Sequence, residues 1–220
     1  MEAGLLLALS SQHQRFGRES IMNLFFTADE HYGHRNIITY CKRPFSDVIE
    51  MREKLIALHN YTVPNVKDSV TVHLGDMFWD TVSAEEAISI VSRLNGKHTF
   101  IRGNHGNKLF DRGLLDEYFI SIADVKMLHV GERKIWISHY AHRVWPDSHK
   151  GAYHLFGHSH GELSVQHGRS LDVGVDVHNF KPLSFDEIEK FMQAIPVPVL
   201  PPKEQGLKTW PTDHLEEGSH

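Results

Sequence analysis

The amino-acid sequence predicts an α/β protein in which strands alternate with helices, so that helices cover the faces of a sheet. Two observations support this prediction. Short runs of β-branched and aromatic residues recur along the chain, each bounded by Gly, Asp or Asn, as is typical of buried strands. Longer segments with apolar residues at helical spacing lie between them, and several begin with a residue that caps helices.

Each predicted element follows from its local pattern. One helix is expected over Asp47–Tyr61, with Ser46 as its N-cap and an apolar face. Two further helices are expected after Ser83 and Ser184, because a Glu stands three residues beyond each serine, as in a capping box. The predicted strands are Asn23–Ala28, Ser69–Leu74, His98–Arg102, Lys134–Ser138, Tyr153–Phe156 and Ser170–Val177.

Composition narrows the class of protein. The chain has 220 residues, of which 40% are hydrophobic and 23% charged, so one domain with a substantial core fits the length. Its formal net charge of −5 gives no overall attraction to nucleic acid or to a membrane surface. The single cysteine, Cys41, excludes an internal disulfide and favours a reducing, cytoplasmic setting. The 18 histidines, together with the carboxylates, point to metal binding.

The two ends of the chain differ from its middle. Residues 1–21 hold an apolar run that is too short to cross a bilayer, followed by a polar stretch without periodicity. We therefore expect them to be an extension outside the core. Five of the nine prolines fall within residues 195–220, which predicts an extended tail. The folded domain is accordingly expected at residues 22–194.

Polar side chains follow five of the predicted strands at their carboxyl ends, the edge where open α/β sheets bind ligands. Residues two apart in extended backbone project to the same side, so Asp29 with His31, and His158 with His160, can each act as a clamp. The candidate metal ligands are Asp29, His31, Asp76, Asn104, His139, His158 and His160.

Seven donors are too many for one tetrahedral zinc and suit two metals that share a bridging carboxylate. Imidazole, carboxylate and amide groups without a thiolate favour divalent Mn, Fe, Zn, Ni or Co over Cu(I), with Mn as our first expectation. Two such cations can hold a hydroxide between them and clamp phosphoryl oxygens. The predicted reaction is therefore hydrolysis of a phosphoester.

The ordered motifs resemble those of the calcineurin-like metallophosphoesterases, in particular small stand-alone bacterial and phage-type members, over roughly residues 22–189. The matching motifs are Asp29-x-His31, Gly75-Asp76, Gly103-Asn104-His105, His139 and Gly157-His158-Ser159-His160. The resemblance implies a β-sandwich of two sheets flanked by helices, in the layer order α/β/β/α, with a centre of two metals at one end.

The resemblance also implies a role for each motif residue. Asp76 would bridge the two metals, and His105 would be the catalytic general acid that protonates the leaving oxygen. The implied ligands of the first metal are Asp29, His31 and His160, and those of the second are Asn104, His139 and His158.

The chain departs from the family pattern in two places. Gly106 stands where the family often has an acidic residue, so a carboxylate that orients His105 must come from elsewhere or be absent. After Asp76, three residues intervene before Asp80, and the Arg-Gly of protein Ser/Thr phosphatases is missing. The second departure argues against a phosphoprotein phosphatase.

Other residues have two interpretations each. Arg35 and Arg143 are candidate substrate-binding cations, whereas a helix start and a solvated surface are their alternatives. Asp176 lies with Asp172 and His178 at period-two spacing on a late predicted strand. These three either reach the site or cap a sheet face, and we favour the second.

The expected substrate is a small phosphodiester, with a nucleotide as one option, and no membrane partner is expected. The alternatives are a phosphomonoesterase or a nuclease that uses the same site. The acidic charge balance and the lack of a Lys/Arg stripe count against a nucleic-acid groove. A non-catalytic scaffold would have lost ligands or the acid, and this chain retains both.

Overall fold

The computed structural model describes residues 13–16, 23–163 and 165–197. Ten strands and five α-helices make up this part of the chain. The strands are β1 His13–Phe16, β2 Leu24–Thr27, β3 Val70–His73, β4 Lys97–Ile101, β5 Phe119–Ala123, β6 Val125–Val130, β7 Arg133–Ser138, β8 Tyr153–Phe156, β9 Ser170–Asp172 and β10 Leu183–Ser184. The helices are α1 Arg35–Tyr40, α2 Val48–Thr62, α3 Ala84–Val91, α4 Asn107–Asp111 and α5 Phe185–Gln193.

The strands form two five-stranded sheets. Sheet A has the order β1-β6-β7-β8-β9, and sheet B has the order β10-β2-β3-β4-β5. In sheet B, β2 to β5 run parallel and only β10 is antiparallel to its neighbour. In sheet A, β7, β8 and β9 are also parallel. The five motif-bearing strands, β2, β3, β4, β7 and β8, can therefore bring their carboxyl ends to one end of the molecule.

Two apolar clusters hold these layers together. The first lies between the sheets and includes Leu24, Phe26 and Val72 from sheet B and Ile137 and Leu155 from sheet A, all fully buried. The second packs helices onto the other face of sheet B, through Met51, Leu55, Ile90, Phe100 and Phe110. The predicted α/β class, and the two sheets flanked by helices that the resemblance implied, are both confirmed.

The three predicted helices begin next to capping residues, as expected, but one of the predicted caps is wrong. Asp47, not Ser46, caps α2, because its carboxylate accepts from the backbone NH of Ile49 at 2.8 Å and of Glu50 at 2.9 Å. Ser46 instead donates to the Glu50 side chain. The helices expected after the other two serines both form, and α5 has a complete capping box.

The predicted strand Ser170–Val177 is wrong in its second half. Strand β9 ends at Asp172, whose carboxylate accepts from the backbone NH of Gly174 at 2.8 Å and turns the chain into a 3₁₀ helix at Val175–Val177. The pattern of β-branched residues could not predict this turn, because the turn is formed by a hydrogen bond to the Asp172 side chain. The patterns also missed α4, β5, β6 and the two-residue β10, whereas α1 begins at Arg35, as the helix-start alternative for that residue predicted.

Part of the segment 1–21, expected outside the core, lies in a sheet: β1 pairs in parallel with β6 along its whole length. The rest of that segment and residues 198–220 lie outside the described residues, so the proposed domain bounds stay a prediction. Within the described ranges, no helix is long and apolar enough to span a bilayer.

Candidate metal centre

The candidate ligands lie close together at the end of the molecule where strands of both sheets have their carboxyl ends. The backbone NH of His158, just after β8 of sheet A, donates to Oδ2 of Asp29, just after β2 of sheet B, at 2.8 Å. His139 follows β7 directly, and its Nδ1 lies 2.8 Å from the carbonyl oxygen of Leu74, just after β3. These contacts join the sheets at the level of the site.

Tight turns aim several ligands inward. Five of the seven candidates adopt the left-handed backbone conformation that residues other than glycine rarely use. Their φ angles are 61° for Asp29, 54° for His31, 52° for Asp76, 66° for His158 and 47° for His160. Such strain persists only where the surroundings enforce it, and it concentrates at functional sites.

The motif glycines permit the close approach of these turns. A Cβ on Gly103 would lie 2.0 Å from Oδ1 of Asp76, and one on Gly157 would lie 2.6 Å from Oδ2 of Asp29. Both contacts are impossible for any other residue without a shift of the carboxylates. The glycines before Asn104 and His158 are therefore required by packing against another ligand.

The first ligand group is Asp29, His31 and His160, whose ligand atoms lie within 4.8 Å of one another. Asp29 and His31 are almost fully buried. Oδ1 of Asp29 and both ring nitrogens of His31 have no hydrogen-bond partner among the described residues. Buried polar atoms without a partner are rare because they are costly, and one cation would satisfy Oδ1 of Asp29 together with one ring nitrogen of His31.

The second group is Asp76, His139 and His158, again with ligand atoms within 4.8 Å of one another. Since the Leu74 carbonyl can only accept, Nδ1 of His139 is the donor in that contact, and Nε2 is the nitrogen left to bind a metal. This Nε2 lies 2.9 Å from Oδ1 of Asn104, an oxygen that can only accept. A shared cation would satisfy both atoms.

Asp76 lies between the two groups. Its Oδ2 is 3.7 Å from Nε2 of His31, and its Oδ1 is 3.5 Å from Nε2 of His139. The backbone NH groups of Asn104 and His105 also donate to Oδ1, at 2.8 and 2.9 Å. One carboxylate thus turns one oxygen to each group, as a bridging ligand must.

Burial and charge set the protonation of these groups. Burial alone would raise the pKa of Asp76, but His139 and the NH of His105 outweigh it and lower the pKa to about 2. Burial also lowers the pKa of His31 to about 2, which keeps the ring neutral, as a metal ligand must be. The pKa of Asp29 is raised, first by burial and then by Asp76 and Asp172, so its charge lacks a compensating cation.

His105 belongs to neither ligand group. Its Nδ1 lies 3.2 Å from Oδ2 of Asp80, and its ring is 4.4 Å from that of Trp79. Asp80 is thus the orienting carboxylate whose source the sequence left open. Asp80 lies four residues beyond Asp76, and because of this longer spacing its pairing with His105 was not predicted.

Asp176 also reaches the site, which corrects our preference for a sheet-capping role. Its Oδ2 lies 2.7 Å from Nδ1 of His160, and it pairs on its other side with Arg43, a residue that sequence reasoning missed. Asp172 instead accepts from backbone NH groups, and His178 contacts the backbone carbonyl of Asp172. Neither of these two belongs to the ligand groups.

A cavity of about 620 Å³ opens over both groups. His105, Trp79 and Tyr40 line it, and His34 stacks on Trp79 with ring centroids 3.6 Å apart. No Lys or Arg is among its described lining residues, whereas Glu162 is. Arg35 and Arg143, the two predicted substrate-binding cations, therefore do not line this cavity. Arg143 lines a neighbouring cavity of about 500 Å³, and Arg35 lies at the exposed start of α1.

The fold and the site define a two-sheet α/β protein with adjacent carboxylate and imidazole groups that can hold metal ions. The chain is 33% identical over 178 residues to the uncharacterized protein MJ1445 of Methanocaldococcus jannaschii, an alignment that covers 79% of this chain and 93% of the relative. The chain belongs to the same protein family as MJ1445.

A solved structure shares the fold. The crystal structure of AQ665, a protein of unknown function from Aquifex aeolicus, superposes with a TM-score of 0.61 at 23% identity, covering 76% of this chain and 98% of that one. YfcE, a phosphoesterase from E. coli, superposes with a TM-score of only 0.36 at 16% identity, covering 69% and 77% of the two chains. That similarity is too distant to bear on either the fold or the function of this chain. No family model matches the chain.

Proposed function

We propose that this protein is a metal-dependent phosphoesterase of the calcineurin-like type. The observation that carries the proposal is the position of Asp76, with one carboxylate oxygen facing each of two ligand groups, beside a histidine that belongs to neither. Two separate groups joined by one carboxylate suit a pair of divalent cations. The orphaned polar atoms of Asp29 and His31 fit the same interpretation.

The metals would be two divalent ions, with Mn as the first candidate and Fe, Zn, Ni and Co as alternatives. One would be held by Asp29, His31 and His160, the other by Asn104, His139 and His158, and Asp76 would contact both. When bound, such ions neutralise phosphoryl charge and lower the pKa of water, which is the chemistry that phosphoester hydrolysis requires.

Protonation of the leaving group would be carried out by side chains of the protein. His105 would donate a proton from Nε2 to the leaving oxygen, since its Nδ1 is occupied by Asp80. Asp80 would stabilise the imidazolium before transfer and fix the orientation of the ring. Trp79 packs against the ring of His105 and limits its movement further.

The charge of the cavity supports a phosphodiester as substrate. A monoester dianion carries one more negative charge than a diester, so a monoesterase gains from cationic side chains around the metals. The described lining has no Lys or Arg and includes Glu162. A diester with a single charge is therefore the better match, and a small nucleotide diester remains one option.

Activity of the metal-loaded protein tests the proposal. Chelator-treated protein would be reconstituted with Mn²⁺, Co²⁺ or Ni²⁺ and assayed on nitrophenyl esters, cyclic nucleotides, dinucleotides, mononucleotides and single-stranded DNA and RNA. We expect metal-dependent hydrolysis of at least one small diester. Cleavage of the polynucleotides alone would favour the nuclease, and the absence of hydrolysis with every metal would contradict the proposal.

A further inference from the structure

The guanidinium of Arg43 is fully buried beside the first ligand group. Its Nη2 donates to the carbonyl oxygen of Asp29 at 2.7 Å, and its Nη1 donates to that of Glu30 at 2.9 Å. A buried charge is costly unless it is paired and hydrogen-bonded, and here it is both. Arg43 thus holds the strained backbone turn that presents Asp29 and His31.

The same guanidinium also holds Asp176 through two bonds. Nε donates to Oδ1 of Asp176 at 2.8 Å, and Nη2 donates to Oδ2 at 2.7 Å. On its other side Oδ2 of Asp176 accepts from Nδ1 of His160 at 2.7 Å. With Nδ1 as the donor, Nε2 of His160 is the nitrogen left to bind a metal.

One buried side chain is therefore connected to every member of the first group. It reaches Asp29 and His31 through the turn between them, and it reaches His160 through Asp176. The second group has a different support, in which the carbonyl of Leu74 holds His139.

We propose that Arg43 is a positioning residue for the first ligand group. It sets the metal affinity of this group by holding the backbone turn at Asp29 and the Asp176–His160 pair in fixed positions relative to each other. This inference rests on the metal-holding role proposed above. The bond pattern needs a planar fork that donates in several directions at once, which a lysine ammonium does not provide. The positive charge alone is therefore insufficient.

Metal titration separates this role from a purely structural one. Calorimetry with Mn²⁺ would compare the metal-free wild type with Arg43→Lys and Asp176→Asn. The matched control is Arg93→Lys, since Arg93 also makes a bidentate pair, with Glu53, but on an exposed surface. We expect the first two variants to bind the tightest Mn²⁺ about 10–100-fold more weakly and the control to bind it unchanged.

The double variant adds a second readout. Because Arg43 acts on His160 through Asp176, the double variant should lose less affinity than the product of the two single losses. Unfolding midpoints of the metal-free proteins would be measured alongside. If Arg43→Lys fails to fold, Asp176→Asn decides the outcome.

Wild-type affinity in a folded Arg43→Lys or Asp176→Asn protein would overturn the proposal. An equal loss of affinity in the Arg93 control would also overturn it, because the effect would then not be specific. Wild-type protein that binds none of Mn²⁺, Co²⁺ and Ni²⁺ would contradict both proposals. Weakened binding in the variants of a protein that hydrolyses no phosphoester would support this inference and contradict the proposed function.

Discussion

Oδ2 of Asp80 lies 3.2 Å from Nδ1 of His105. The backbone NH of Gly106 donates to the other carboxylate oxygen at 2.9 Å, and this bond is the main cause that lowers the pKa of Asp80. Asp80 is therefore ionised at neutral pH and accepts from the ring of His105. The proposed acid has a fixed orientation even though Gly106 replaces the acidic residue that often follows the Asn-His motif.

Asp80→Asn should slow hydrolysis of esters with poor leaving groups by about tenfold or more, but by less than the ~10²–10⁴-fold that a positioned acid is worth. The amide can still accept from Gly106 but no longer stabilises a charged imidazole. Steady-state kinetics on an alkyl phosphodiester would measure the loss. Asp111→Asn, which changes an exposed carboxylate paired with Arg102, is the control. Unchanged kcat in Asp80→Asn would remove Asp80 from this role.

His105→Ala should keep its metals, because His105 lies outside both ligand groups. We expect a loss of about 10²–10⁴-fold in rate for poor leaving groups. The loss should shrink for nitrophenolate, which leaves without a proton. Metal content by elemental analysis and a leaving-group series would check both parts, and an equal loss across the series would exclude the acid role.

Asp76→Asn should lose at least one metal per chain and nearly all turnover, because the carboxylate faces both ligand groups. An amide is neutral and offers only one oxygen as a ligand, so it cannot bridge two cations as a carboxylate does. A chelator should abolish wild-type activity, and Mn²⁺, Co²⁺ or Ni²⁺ should restore it. Two metals per chain in the variant, by elemental analysis, would contradict the bridging assignment.

Bis-p-nitrophenyl phosphate should be hydrolysed with a higher kcat/KM than p-nitrophenyl phosphate under the same metal. The reason is the described lining of the cavity, which lacks a Lys or Arg to balance the second charge of a monoester. The comparison needs one enzyme preparation and one pH. A clear preference for the monoester would contradict this prediction and would make Arg35 and Arg143 the next residues to substitute.

His154 should make the protein less stable in acid. Burial is the main cause that lowers its pKa from 6.5 to about 4, and its Nε2 accepts from the backbone NH of His142 at 2.9 Å. Between these two pKa values the unfolded chain binds a proton that the folded chain does not, so stability falls as the pH drops from about 6.5 to about 4.

Urea unfolding at pH 7 and pH 4.5 tests the contribution of His154. The stability that the wild type loses over this range should exceed the loss in His154→Gln by about 2–3 kcal/mol, the value of the pKa difference. His149→Gln, which changes an exposed histidine, should lose as much as the wild type. Equal losses in wild type and His154→Gln would contradict the assignment.

The strand-end positions of the candidate ligands could be predicted from sequence because strand composition and chain order are local properties. The helix starts at Ser83 and Ser184 are local in the same sense, since a cap and its partner lie within one turn. The strand expected through Val177 failed because a side chain of Asp172 ends it.

The sequence by itself determined which residue types stand at the strand ends, and therefore the kind of site. Only the tertiary structure decided which side chains support it. Arg43 and Asp176 are 133 residues apart, and His105 and Asp80 are 25 apart, with no periodic pattern to connect either pair. These contacts depend on how two sheets bring distant loops together at one edge, and local propensity does not encode that path.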